Sequence, residues 1–146
     1  MATAFPSTSS ARSAQMRAIR SKDTKPELRI RALLHRLGYR YRVHYAALPG
    51  RPDIAFPRRK KVIFVHGCFW HRHDCRVGQK QPTVNAAYWM PKFERNKRRD
   101  EMQERQLADL GWQVLVVWEC QFVDIQTLME SVIEFLGTPR SFDNRH

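Results

Sequence analysis

Val62-Ile63-Phe64-Val65-His66-Gly67-Cys68-Phe69-Trp70-His71-Arg72-His73-Asp74-Cys75 decides how this chain is read. Its first part is a short continuous apolar run rich in β-branched residues, the pattern of a central strand buried on both faces. Its second part has no period. It packs two thiols, three imidazoles and the aromatic pair Phe69 and Trp70 into one loop. A third thiol, Cys120, stands far downstream. Just upstream, Gly50-Arg51-Pro52-Asp53 forms a tight turn that delivers one carboxylate to the start of a strand.

Working outward, Thr24-Lys25-Pro26-Glu27 is a helix start. Thr24 is the cap, Pro26 lies in the first turn and Glu27 completes a capping box. Ile30, Leu33, Leu34 and Leu37 follow at helical spacing, and Gly38 ends the helix. Tyr39 to Tyr45 alternates strictly, which predicts a half-buried strand. A short strand is expected from Asp53 to Phe56, then a basic turn from Arg58 to Lys61. Residues 92–110 predict a surface helix with Phe93, Met102, Leu107 and Leu110 inward, stopped by Gly111. Val114 to Trp118 predicts a second buried strand leading into Cys120. Ile125, Leu128, Met129, Val132, Ile133 and Leu136 mark a last amphipathic helix. The order α-β-β-β-α-β-α implies two- or three-layer α/β packing.

At 146 residues the chain is long enough for one domain with a sizeable core. The expected organisation is a disordered arm over residues 1–15, a catalytic domain over 16–137 with a basic leading segment, and a flexible tail over 138–146. Against 14 acidic residues stand 26 lysines and arginines, a formal net charge of +12. That sign favours a polyanion, with nucleic acid ahead of an anionic membrane. No apolar run approaches the roughly 18 residues needed to span a bilayer. The first residues lack a secretory apolar core, so a cytoplasmic protein is expected. Three cysteines among histidines suit a metal better than a disulfide framework.

Cys68, His73, Cys75 and Cys120 make a Cys3His set suited to structural zinc. His66, His71 and His73 compete for its single nitrogen position. His73 and Cys75 are two apart and can point the same way from an extended segment, leaving His66 and His71 free. Buried, unligated thiols are the plain alternative. Asp53 is the candidate ligand for Mg²⁺, which assists phosphodiester hydrolysis through oxygen donors; it can equally close an Asx-type turn. His66 and His71 can transfer protons near neutral pH, although a histidine ending a buried strand is often structural. Glu27 reads as a cap and Asp100 as a solvated charge. Phe69 and Trp70 read as packing over the loop, and Trp112 and Trp118 as core. A basic chain with a soft and a hard metal site points to a nuclease.

Leu48-Pro-Gly-Arg-Pro-Asp53, Val62 to His71, Cys75 and Gly111-Trp-x-Val-Leu-x-Val-Trp-Glu-Cys120 closely resemble the very-short-patch repair DNA mismatch endonuclease family, Vsr, over about residues 13–122. The resemblance implies a restriction-endonuclease-like core (α-β-β-β-α-β) with a structural zinc loop. It implies Mg²⁺-dependent nicking of one strand of double-stranded DNA, 5′ to the thymine of a T:G mismatch, by a monomer. Such nicking starts repair of deaminated 5-methylcytosine, alongside mismatch-repair proteins and a cytosine methylase. Carried over, Asp53 resembles the Mg²⁺-binding carboxylate and His71 the general base, oriented by Asp100. Glu27 and His66 resemble supporting members of the site. Phe69, Trp70 and Trp89 resemble the aromatics that wedge into DNA, and Met16 the apolar residue inserted from the other groove.

Three departures accompany this likeness. The third strand reads Phe64-Val65-His66, so the lysine usual in restriction-like nucleases is absent and histidine must compensate. The family often carries Thr where Val65 stands; Val65 keeps the backbone carbonyl as an Mg²⁺ ligand but loses the hydroxyl. The zinc loop also has fewer histidines than some relatives, which favours His73. The competing readings are a restriction-type or transposon-associated endonuclease with a different DNA target, and a catalytically inactive zinc-stabilised DNA-binding module.

Overall fold

The computed structural model describes residues 23–68, 71, 73–79 and 85–139. They form α1 (Lys25–Arg36), β1 (Arg42–Val43), β2 (Ile54–Phe56), β3 (Lys61–His66), α2 (Ala86–Asp109), β4 (Gln113–Trp118), a 3-10 helix (Glu119–Asp124) and α3 (Ile125–Leu136). The four strands make one mixed sheet in the order β1-β2-β3-β4. β1, β2 and β3 pair antiparallel, and β3 and β4 run parallel in register from Lys61 opposite Gln113 to His66 opposite Trp118. A parallel pair needs a long crossover, and α2 supplies it.

The side-chain period of the strands divides the core in two. Ile54, Phe56, Ile63 and Val117 pack with Ile30 and Leu34 of α1 and with Leu128, Met129, Val132 and Leu136 of α3. On the opposite face Ala55, Val62 and Phe64 pack with Leu107 of α2. The architecture is therefore three-layered, with β3 buried between helices on both sides. Among the described residues no helix is long and apolar enough to cross a membrane.

Four local expectations are corrected. Thr24 caps α1, its hydroxyl accepting from the Glu27 N–H at 3.4 Å, but Glu27 returns to the Asp23 N–H at 3.1 Å and not to Thr24. The alternation from Tyr39 to Tyr45 yields only the two-residue β1. Tyr39 and Tyr41 instead pack edge-on against Phe56, and the Tyr41 hydroxyl donates to the Arg31 carbonyl. His44 then turns the chain with φ 47°. The surface helix starts at Ala86 and runs through Pro91. Met102 and Leu110 lie exposed on it, whereas Asn96 is buried beside Phe93 and Leu107 on the inward side. Their apolar character is not matched by a layer to pack against, since α2 covers the sheet along one stripe only. Gly111 ends the helix as expected, with φ 88°.

Candidate metal and catalytic site

β3 and β4 end side by side at His66 and Trp118. Open α/β sheets place their ligands outside the carboxyl ends of such strands. Here the loop after β3, the 3-10 helix after β4 and the middle of α2 converge on that edge.

Cys68, His73, Cys75 and Cys120 form one cluster, their four ligand atoms all within 4.8 Å of one another. Cys120 Sγ lies 3.5 Å from His73 Nδ1. A tetrahedral ion with metal–sulfur bonds of about 2.3 Å and a metal–nitrogen bond of about 2.05 Å has an S···N edge of about 3.6 Å. The donor set and spacing thus fit a soft divalent ion, and the cysteines form no disulfide. The loop is built for close approach: a Cβ at Gly78 would lie 1.9 Å from the His73 carbonyl oxygen. Backbone amides cover the sulfurs, from Gly78 to Cys75 and from Cys120 to Cys68, both at 3.3 Å. The Gly78 amide pulls the Cys75 thiol down to about 7, while burial pushes Cys68 up to about 12. A cation would overcome that burial penalty by binding the thiolate.

Beside this cluster, the rings of His66 and His71 stack at 3.8 Å with an interplanar angle of 3°. His71 Nδ1 lies 2.5 Å from Asp100 Oδ2 of α2. A carboxylate can only accept, so His71 donates through Nδ1–H and leaves Nε2 as its outward nitrogen. His66 is 7% exposed, and its Nδ1 has no hydrogen-bond partner among the described residues. Burial, and next the charge of His71, pull His66 down to about 3, against the opposing pull of Asp100. His66 is therefore neutral in the physiological range. The ligand atoms of His66, His71 and Asp100 are also mutually close. Stacking nonetheless puts the in-plane lone pairs of the two rings in separate planes, so one ion cannot lie in both. The arrangement suits proton handling, not chelation.

Asp53 ends the Gly50-Arg51-Pro52 turn and reaches across to β3, where its Oδ2 accepts the Val65 N–H at 2.7 Å. Burial pushes Asp53 up to about 7; the Val65 amide opposes the shift, the charge of Glu27 adds to it and Arg31 opposes it. Glu27, 2% exposed on α1, is thus electrostatically coupled to Asp53. A desolvated carboxyl disfavoured as an anion, with the charge of Glu27 adding to that cost, is a setting that a bound cation would relieve.

Of the residues singled out in the sequence, Met16, Phe69 and Trp70 lie outside the described residues. Trp89 is half-buried at the start of α2, stacked on Phe93 and edge-on to Tyr88. Two features escape a linear reading. Trp118 is a partition between the clusters, stacked on His73 at 4.1 Å and edge-on to His66 at 5.1 Å. Its position at the end of the strand preceding Cys120 was the available signal. His44 and Arg31 hold Glu27 through its Oε2 at 2.6 and 3.3 Å.

The sequence model of the family described as DNA mismatch endonuclease Vsr matches residues 6–77. Over 113 residues the chain is 53% identical to the type II nicking enzyme V.XorIIP of Xanthomonas oryzae pv. oryzae, covering 77% of this chain and 82% of that protein. It is 46% identical over 109 residues to the DNA mismatch endonuclease Vsr of Escherichia coli K12, covering 75% and 69% respectively. With the type II nicking enzyme V.NmeAIP of Neisseria meningitidis serogroup A it shares 43% identity over 114 residues, covering 78% and 81%. The chain belongs to the Vsr family. It is accordingly an enzyme of the nuclease class.

Proposed function

We propose that this protein nicks one strand of double-stranded DNA 5′ to the thymine of a T:G mismatch and so starts very-short-patch repair. The fold is taken as restriction-endonuclease-like, with residues 16–137 as the catalytic unit. The observation that carries the reading is the His71–Asp100 pair stacked on a buried neutral His66, one residue beyond the strand position that binds Asp53. A dedicated DNA-binding module has no use for that constellation.

In this reading Asp53 and the Val65 carbonyl hold Mg²⁺, with Glu27 in support. An Mg²⁺ ion held there would supply Lewis-acid stabilisation of the charge that develops on the scissile phosphate. His71 takes the proton of the attacking water at Nε2, while Asp100 fixes its tautomer and stabilises the imidazolium that forms. His66, held neutral, packs against the His71 ring and keeps it in one orientation. Zinc in the Cys68, His73, Cys75 and Cys120 cluster ties the loop that carries His71 to the end of β4. Phe69, Trp70 and Trp89, with Met16 from the other groove, wedge beside the mismatch, where a wobble pair lowers the cost of opening a base step. The basic surface supplies phosphate contacts and therefore a steep salt dependence.

The relatives carry two kinds of name, mismatch endonuclease and type II nicking enzyme, so sequence context around the mismatch is part of the test. Purified protein with Mg²⁺ is offered duplexes holding each mismatch in varied flanking sequence. Preferential nicking at T:G supports the reading. Equal nicking of T:G and T:A duplexes in every context gives way to the restriction-type alternative.

A further inference from the structure

A polar network surrounds Glu27, and its centre is His44. The ring Nε2 of His44 lies 2.6 Å from Glu27 Oε2. The backbone N–H of the same residue donates to the Asp53 carbonyl at 3.0 Å. His44 therefore grips, through two different groups, the two residues whose carboxyls interact electrostatically. It does so from a left-handed backbone, φ 47°, which histidine tolerates better than most side chains. The turn needs only that φ. The ring's bond to a carboxylate on another element is an additional device.

Two further groups also hold Glu27. The Asp23 N–H donates to Oε1 at 3.1 Å, and Arg31 bridges Glu27 and Asp23 at 3.3 and 3.0 Å. Asp23, Glu27 and His44 lie close enough to ligate an ion together, but the Arg31 guanidinium already pairs with both carboxylates. The cluster is thus a brace, not a cation site of its own. A 2%-exposed carboxylate with every donor specified has one orientation.

We propose that His44 is a positioning residue for the hard-metal site: its ring N–H sets the Glu27 carboxylate while its backbone N–H sets the Asp53 segment. The proposal rests on the assignment of Asp53 and Glu27 made under the proposed function. Loss of a donor that orients a metal-site carboxylate weakens metal affinity by about 10- to 100-fold.

The test uses His44→Gln and His44→Asn in the full-length protein. A glutamine amide reaches the place of Nε2, whereas an asparagine amide is too short but accepts the left-handed backbone. Comparable melting temperatures establish that both fold. Mn²⁺ is the probe, its free concentration counted by electron paramagnetic resonance, with Asp53→Asn as the reference for loss of the site. The expected result is near-wild-type Mn²⁺ affinity for His44→Gln and about 10-fold weaker affinity for His44→Asn. The Mg²⁺ concentration giving half-maximal nicking should rise in parallel for His44→Asn. Equal behaviour of the two variants, whether both unchanged or both weakened, overturns the role of the ring while Asp53→Asn still abolishes binding. If Asp53→Asn leaves Mn²⁺ affinity unchanged, the assignment of Asp53 itself fails and that of His44 falls with it.

Discussion

Asp53→Asn should raise the stability of the metal-free protein, and by an amount that depends on pH. The Asp53 carboxyl is raised from 3.8 to about 7, chiefly by burial. The folded protein therefore holds this proton more tightly than the unfolded chain. The associated stability is full below about pH 4 and is lost as pH rises through 7. A difference of about 3 units at about 1.4 kcal/mol per unit gives at most about 4 kcal/mol, the cost of ionising the buried group. Asparagine never ionises and still offers an oxygen to the Val65 amide. The melting temperature of the variant should pull away from wild type between pH 5 and 7 and then run parallel to it. Two pH units correspond to about 3 kcal/mol, or about 5–10 °C for a domain of this size. Other titrating groups are common to both proteins and largely cancel. The assay is thermal melting in chelator-treated buffer too mild to strip the cysteine cluster, repeated with Mg²⁺. If Asp53 holds the ion as proposed, Mg²⁺ should stabilise wild type alone and release about half a proton per ion near pH 7. A gap that is constant from pH 5 to 8, or one that shrinks as pH rises, would refute the reasoning.

His71→Ala should lower nicking by about 10²- to 10⁴-fold, the usual contribution of a positioned base, with metal content unchanged by elemental analysis; loss of zinc would instead make His71 the ligand in place of His73. His66, pulled down to about 3, should keep a neutral-imidazole nitrogen-15 signal to about pH 4, and protonation near pH 6 would contradict its burial. Cys120→Ser should lose the cluster's metal and lower the melting temperature, because Cys120 is the one thiol of the cluster that lies beyond β4 and not in the loop. Retained stoichiometric zinc in that variant would remove Cys120 from the set.

Much of this protein was legible in its linear sequence, for a reason that can be stated element by element. The Thr24-Lys-Pro-Glu27 start, the apolar run of β3, the Gly111 stop and the final amphipathic helix are local signals, set by backbone sterics and by one element's periodicity. The cluster of Cys68, His73, Cys75 and Cys120 was legible because three of the four share one short loop. Where local pattern misled, a neighbouring element had intervened. Tyr39 and Tyr41 alternate like a strand yet pack on Phe56, and Met102 and Leu110 are apolar yet lie off the one stripe of α2 that the sheet covers. What only the tertiary structure decided are the relations between elements. Asp53 is bonded to the β3 backbone, His66 stacks on His71, Trp118 divides the cysteine cluster from the histidines, and His44 grips Glu27 across 17 residues of chain. Residue types and spacing specify which donors and charges a chain possesses. Their protonation, orientation and pairing follow from desolvation and from which strands end side by side, and these exist only once the sheet and its helices have closed around them.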